Sequence, residues 1–278
     1  MPYLTVEGAD LYYEAIGSGP LLVTISGANG SADIWRPFAA QLQSQFTVCI
    51  YDRRGFSRSY LTGSQDYAQR LQTDSDDVAA LIKHLSPREP ATVLGNSSGA
   101  LVSLMVLSRH PDAVHTLIAH EPPSYPFLDA ATRDFIATGI QEMYDLYRRE
   151  GPLPALEMFT KLGHLDSPEE KAGLLAAFDP RRNPFVAGNV LYWFERELRQ
   201  YTVYTFDVGL LRELKERLVL VNGKNSHKEA PHRLANVCLG RKIGAEVEDW
   251  TGMHLGFASH PKEFAKELQD LMKRRGRL

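Results

Sequence analysis

Thr92-Val93-Leu94-Gly95-Asn96-Ser97-Ser98-Gly99-Ala100 is the stretch on which the reading of the fold turns. An apolar run of strand character enters it, an apolar run of helical spacing leaves it, and Gly95-Asn96-Ser97-Ser98-Gly99 between them has the form G-x-S-x-G. A serine held on a sharp strand-to-helix turn needs small residues on either side, because neighbouring backbone passes close by. The turn lifts the Ser97 hydroxyl clear of the sheet, at the positive end of the helix that follows. It also aims the Ser98 N–H at the place where a negative oxygen would develop.

Outward from this turn the chain keeps a β-α-β-α rhythm. Residues 21–25 and 47–51 are continuous apolar runs, as expected of strands buried on both faces of a parallel sheet. Residues 34–42 and 77–85 have helical spacing, and 100–107 and 114–119 read as a helix and a strand. At the start, 3–7 and 11–15 flank Gly8 and Asp10 and read as an antiparallel pair. The rhythm stops at Pro122. From 123 to 206 no buried-strand pattern occurs, while 135–149, 153–162, 169–178 and 190–198 read as helices punctuated by prolines. It resumes with strands at 218–221 and 245–250 and helices at 231–239 and from Pro261. The expectation is an α/β fold with a mostly parallel sheet of eight strands flanked by helices. A core of 1–122 and 207–278 would carry a helical lid, 123–206, inserted after the sixth strand.

The 278 residues are 44% hydrophobic and 23% charged, which excludes wholesale disorder. A net charge of −3 leaves no basic footprint for nucleic acid or an anionic membrane. Two cysteines, Cys49 and Cys238, are too few for a disulfide framework. With no leader-like start and no long apolar stretch, a cytoplasmic protein is expected. Monomer and homodimer both stay open.

A serine hydroxyl needs a base, and nine histidines are available. His254, in Thr251-Gly252-Met253-His254-Leu255-Gly256, follows the last strand in a small-residue loop and is placed to swing over Ser97. His84, His110 and His115 sit on helices or at their ends and read as surface or packing residues, and His260 as a loop or capping residue. The carboxylate that would orient His254 is absent from Asn222-Gly223-Lys224-Asn225-Ser226-His227, after the seventh strand, and Glu229 lies beyond it. Ala119-His120-Glu121-Pro122, at the end of the sixth, supplies Glu121. Carboxyl ends of parallel strands open on one crevice, so Glu121 can approach His254 from the side, while His120 alternates to the opposite face.

Together these residues resemble the α/β-hydrolase fold over nearly the whole chain. Asp52-Arg53-Arg54-Gly55-Phe56-Ser57-Arg58-Ser59 is similar to the D-x-R-G-x-G-x-S turn of that superfamily, with Phe56-Ser57 as its departure. Ser26-Gly27-Ala28-Asn29-Gly30 stands where many such hydrolases have His-Gly, so the Ala28 N–H, with Gly27 as second choice, joins Ser98 as a candidate oxyanion donor. More narrowly, Gly95 to Ala100, His120-Glu121 with Pro122, and Gly252-Met253-His254 with Ser259-His260-Pro261 resemble the fungal zearalenone hydrolases, lactonases that open a macrolactone. That resemblance implies Ser97, Glu121 and His254 as serine, acid and base, and Trp193 as a lid tryptophan touching substrate. Tyr125 and Phe127 join Trp193 as expected substrate contacts, with Tyr144, Phe159, Tyr192 and Phe194 as further candidates.

The expected activity is therefore hydrolysis of an ester or lactone of a small hydrophobic molecule through an acyl-enzyme, with no metal or organic cofactor. The same triad would serve a carbon–carbon bond hydrolase on a diketone. A receptor of this fold would bind such a ligand and turn it over slowly if at all. Ser97 at the turn disfavours epoxide hydrolases and haloalkane dehalogenases, which need a carboxylate there.

Overall fold

A computed structural model describes residues 2–165, 167–181 and 183–278. One twisted sheet organises them, with strands β1 (Tyr3–Val6), β2 (Ala9–Gly17), β3 (Leu21–Ile25), β4 (Thr47–Tyr51), β5 (Tyr60–Leu61), β6 (Ala91–Asn96), β7 (Val114–His120), β8 (Leu218–Gly223) and β9 (Val247–Trp250). Their spatial order is β1-β2-β4-β3-β6-β7-β8-β9. The first three of these pair antiparallel, and every later neighbour pairs parallel. The eight strands read from the sequence are all present. The addition is β5, a two-residue exposed ribbon paired with Ala9 and Asp10. It is too short to show a periodicity, and it makes the strand before the helical insertion β7 rather than the sixth.

Helices cover both faces of the sheet: α1 (Arg36–Leu42), α2 (Arg70–Leu85), α3 (Ser98–Arg109), α4 (Ala130–Glu150), α5 (Pro152–Leu162), α6 (Pro168–Ala177), α7 (Val186–Arg196), α8 (Leu198–Tyr201), α9 (Val208–Glu213), α10 (Pro231–Ile243), α11 (Gly256–Ser259) and α12 (Pro261–Arg274). The inner face of α12 carries Phe264, Ala265, Leu268, Leu271 and Met272, a spacing of three and four residues that lays a single stripe on the sheet. Helix α2 begins at Arg70, seven residues before the apolar periodicity that announces it. Asp74, Ser75 and Asp77 occupy its buried face as polar residues, and they interrupt the pattern.

Helices α4 to α8 lie between β7 and β8 and have an apolar cluster of their own, including Ile140, Met143, Leu156, Leu165, Phe178, Trp193 and Phe194. They are tied to the sheet layer by polar bonds: Asn29 Nδ2 donates to the Ala177 carbonyl (2.8 Å), and Asn189 exchanges bonds with Ser57 (2.7 and 2.9 Å). No helix among the described residues is long and apolar enough to cross a membrane. The carboxyl ends of β3, β6, β7, β8 and β9 open on one edge, beneath these helices.

Candidate active site

The turn at the end of β6 is as tight as its glycines suggest. Ser97 sits at φ 56°, ψ −128°, a conformation worth about 1–3 kcal/mol of strain for a residue with a Cβ. Its N–H donates to the His120 carbonyl (3.0 Å), and α3 starts at the next residue. A Cβ at Gly95 would lie 2.3 Å from the Gly99 carbonyl oxygen, and one at Gly99 2.2 Å from that of Ile25. Neither position tolerates a side chain.

The loop after β3 runs alongside. A Cβ at Gly27 would come within 2.9 Å of Ser97 Cβ, so the backbone reaches the serine only because residue 27 has none. Ser26 turns its hydroxyl away to the Ser31 carbonyl (2.7 Å). The N–H groups of Gly27 and Ala28 donate to no acceptor among the described residues. Ala28, Ser97, Ser98 and His254 share one cavity wall.

His254 is anchored on three sides. Its N–H donates to Glu170 Oε1 of α6 (2.9 Å), its carbonyl accepts from Asn96 Nδ2 (2.9 Å), and its Nδ1 lies 2.7 Å from Glu121 Oε2. Glu121, at φ 51°, is fully buried, and its Oε1 accepts from the N–H of Gly223 (2.9 Å). The loop after β8 lacks a carboxylate because it plays the complementary part, donating a backbone N–H to the one that β7 delivers. Burial alone would raise the Glu121 carboxyl. The neighbouring His232 and His254 rings and their hydrogen bonds overcome it and hold the group well below the usual carboxylate range. An ionised Glu121 accepts from Nδ1–H and leaves Nε2 of His254 as the basic nitrogen.

His232, on the first turn of α10 after Pro231, escaped the sequence reading. Its Nε2 is 3.2 Å from Glu121 Oε2, and its ring centroid is 4.3 Å from that of His254. Burial lowers its pKa and keeps it neutral. Glu170 was missed too, although Ser167 and Glu170 have capping-box spacing; the Ser167 hydroxyl caps α6 while Glu170 reaches across to His254. Among the described residues, Glu121, His232 and His254 are three groups whose ligand atoms lie within 4.8 Å of one another. A metal ion there would have to displace the proton between Glu121 and His254.

The other candidates separate cleanly. Glu229 is exposed. His84 meets the Tyr13 hydroxyl (2.9 Å), His110 pairs with Asp76 (2.6 Å), and His115 and His260 contact Thr116 and Ser259 beside them. His120 is buried beneath the site, with Nδ1 on Asn96 Nδ2 (2.9 Å) and no bond to Glu121 or His254. Tyr125, Trp193 and Phe159 line the cavity. Phe127 does not: it closes a short 3-10 turn and stacks on Phe206 in the core beside the sheet (centroids 6.5 Å apart). Tyr192 packs over Phe56, Phe194 over Tyr147, and Tyr144 donates to Glu195, so these three also stay off the cavity wall.

The free space at Ser97 has two lobes of about 40 Å³ each, which share Ala28, Ser97, Phe159 and His254. One continues between Tyr125, Met143, Leu165 and Trp193, and the other between Ile34, Leu174, Phe178 and Phe257.

Comparison with known proteins agrees with this architecture. Residues 20–182 match the model of the family described as alpha/beta hydrolase fold. The uncharacterized hydrolase YraK of Bacillus subtilis is 31% identical over 275 residues, covering 98% of this chain and 95% of that one. Among solved structures, a thermophilic esterase from Thermogutta terrifontis superposes with a TM-score of 0.70 at 18% identity, covering 96% of this chain and 94% of the other. The enol-lactonase from Burkholderia xenovorans does so with a TM-score of 0.69 at 18% identity, covering 98% and 100%.

Proposed function

Because this chain belongs to the α/β-hydrolase family and is a hydrolytic enzyme, we propose that it is a serine hydrolase of small hydrophobic esters or lactones, working through Ser97, His254 and Glu121. The observation that carries the reading is the 2.7 Å contact between the buried Glu121 Oε2 and Nδ1 of His254, which lines the same cavity as Ser97. Ser97 Oγ attacks the carbonyl carbon as its proton passes to His254 Nε2. The carbonyl oxygen becomes an oxyanion against the Ala28 and Ser98 N–H groups. Collapse breaks the bond to the leaving alkoxide, which takes the proton from His254. Water then loses a proton to His254, attacks the acyl group and returns Ser97 as the free hydroxyl. Glu121 keeps Nδ1 protonated and stabilises the imidazolium in both halves.

Residues 123–206 act in this reading as the lid, and Trp193 and Tyr125 as substrate contacts. Two lobes of about 40 Å³ each meet at Ser97, which suits a small acyl chain. A macrolactone would need the helices above them to move aside. The test is a screen of p-nitrophenyl acetate and longer esters, simple lactones, a macrolactone and a diketone, run beside Ser97→Ala. Acetate ester turnover that falls at least about 10⁴-fold in the variant is expected. Undiminished turnover in Ser97→Ala removes the nucleophile, and cleavage of the diketone alone favours the carbon–carbon reading.

A further inference from the structure

Beneath the loop after β3 lies a buried cation that the mechanism above does not use. Arg53, in the turn after β4, is inaccessible to solvent. Its Nη2 donates to Asp74 Oδ2 (2.6 Å) and Glu197 Oε2 (2.8 Å), its Nε to Asp74 Oδ2 (3.2 Å), and its Nη1 to Glu197 Oε1 (3.2 Å). Two carboxylates from different parts of the chain thus clamp the plane of the guanidinium. Nη1 also donates to the main-chain carbonyls of Ser26 (3.3 Å) and Gly27 (3.2 Å). The Gly27 carbonyl accepts in addition from the N–H of Gly30 (2.9 Å), and the Gly30 carbonyl from that of Arg53 (2.8 Å), so the loop is closed onto this residue.

A trans peptide unit holds its C=O and N–H on opposite sides. With the Ser26 and Gly27 carbonyls drawn onto Arg53, the N–H groups of Gly27 and Ala28 turn the other way. On that side Ala28 and Ser97 form the cavity wall, and these two N–H groups have no acceptor among the described residues. We propose that Arg53 is the positioning residue of the oxyanion hole: by holding the carbonyls of Ser26 and Gly27 from behind, it aims the Ala28 N–H at the point where the tetrahedral oxyanion forms. A point charge would not do the same, since only a forked donor reaches two carboxylates and two carbonyls in one plane. This rests on the serine-hydrolase reading and adds to it a group that touches neither substrate nor Ser97.

The experiment compares wild type, Arg53→Met and the double variant Arg53→Met/Glu197→Gln, with folding verified by near-ultraviolet circular dichroism. The double variant keeps Arg70 and Asp74 as a balanced pair, so it does not leave an unmatched buried charge if the single variant fails to fold. Three quantities are read: kcat and KM for p-nitrophenyl acetate, and the inhibition constant of trifluoroacetone, whose adduct with Ser97 places an oxyanion in the same position. The expected result is a fall in kcat of about 100-fold, the usual consequence of losing one oxyanion donor. KM should stay within about threefold, and trifluoroacetone should lose affinity by a factor similar to that in kcat. A folded variant with kcat and trifluoroacetone affinity within about threefold of wild type overturns the inference, as does a loss carried by KM alone. A wild type inert to the ester and to trifluoroacetone sinks the hydrolase reading itself, and this inference with it.

Discussion

Two buried charged clusters flank the cavity, and they are built differently. Around Glu121, one carboxylate faces the rings of His232 and His254, with a single backbone N–H on its other oxygen. Around Arg53, two guanidinium groups (Arg53 and Arg70) face two carboxylates (Asp74 and Glu197), and the Tyr201 hydroxyl donates to Asp74 (2.8 Å). The second cluster is neutral as it stands. The first is neutral only when an imidazole takes up a proton, which is the event the proposed mechanism requires twice per turnover. A buried charge left without its counter-ion marks the place where charge will develop, and one fully matched marks a strut.

The largest test of that contrast removes the unmatched charge. Glu121→Gln keeps the shape and loses the charge, so His254 loses its preferred tautomer and the partner of its imidazolium. Turnover of p-nitrophenyl acetate should fall about 10³- to 10⁴-fold. Glu229→Gln, on the exposed loop after β8, should be indistinguishable from wild type. The reverse pattern, a large loss in Glu229→Gln and none in Glu121→Gln, would move the acid to the other loop.

Breaking the matched cluster should show in stability. Asp74→Ala leaves Arg70 facing no carboxylate and Arg53 with Glu197 alone, at a cost of about 3–5 kcal/mol in urea-induced unfolding. A cost below about 1 kcal/mol would mean that water reaches these guanidinium groups, and that the cluster is not the buried strut its geometry implies.

The same contrast governs what the sequence disclosed. Ser97 and Glu121 were legible because each directly follows an apolar strand, where local pattern fixes both the element and the direction of the side chain, and His254 because it sits in a small-residue loop after the last strand. His232 was not, since a histidine after Pro231 on a helix has no pattern that points it at a carboxylate 111 positions earlier in the chain. The Arg53 cluster was hidden for a related reason. Asp74, Ser75 and Asp77 on the inner face of α2 look like a solvent-facing run, and the charges that bury them come from residues 53, 54, 70 and 197. Phe127 shows the limit from the other side, because aromatic content announces an apolar neighbourhood without saying which of two cores a ring will join.

The smallest effect concerns His120, one step further from the chemistry. Burial lowers its pKa from the usual 6.5 to about 4, and as a neutral ring its Nδ1 accepts from Asn96, whose Nδ2 also holds the His254 carbonyl. Between those two pH values the unfolded chain takes up a proton that the folded protein refuses. The contribution is therefore complete above about pH 6.5 and is lost as pH falls toward 4. At pH 5 the loss amounts to about 2 kcal/mol relative to pH 8. Urea unfolding of wild type and His120→Gln at the two pH values isolates it: wild type should lose about 2 kcal/mol more on acidification than the variant. Asp77, whose carboxyl burial raises to about 6, works in the opposite direction, but it is present in both proteins and cancels from the comparison. Parallel pH dependences would mean that His120 is protonated where it lies. In that case Asn96 donates to something other than the Nδ1 lone pair, and the support it offers His254 has to be redrawn.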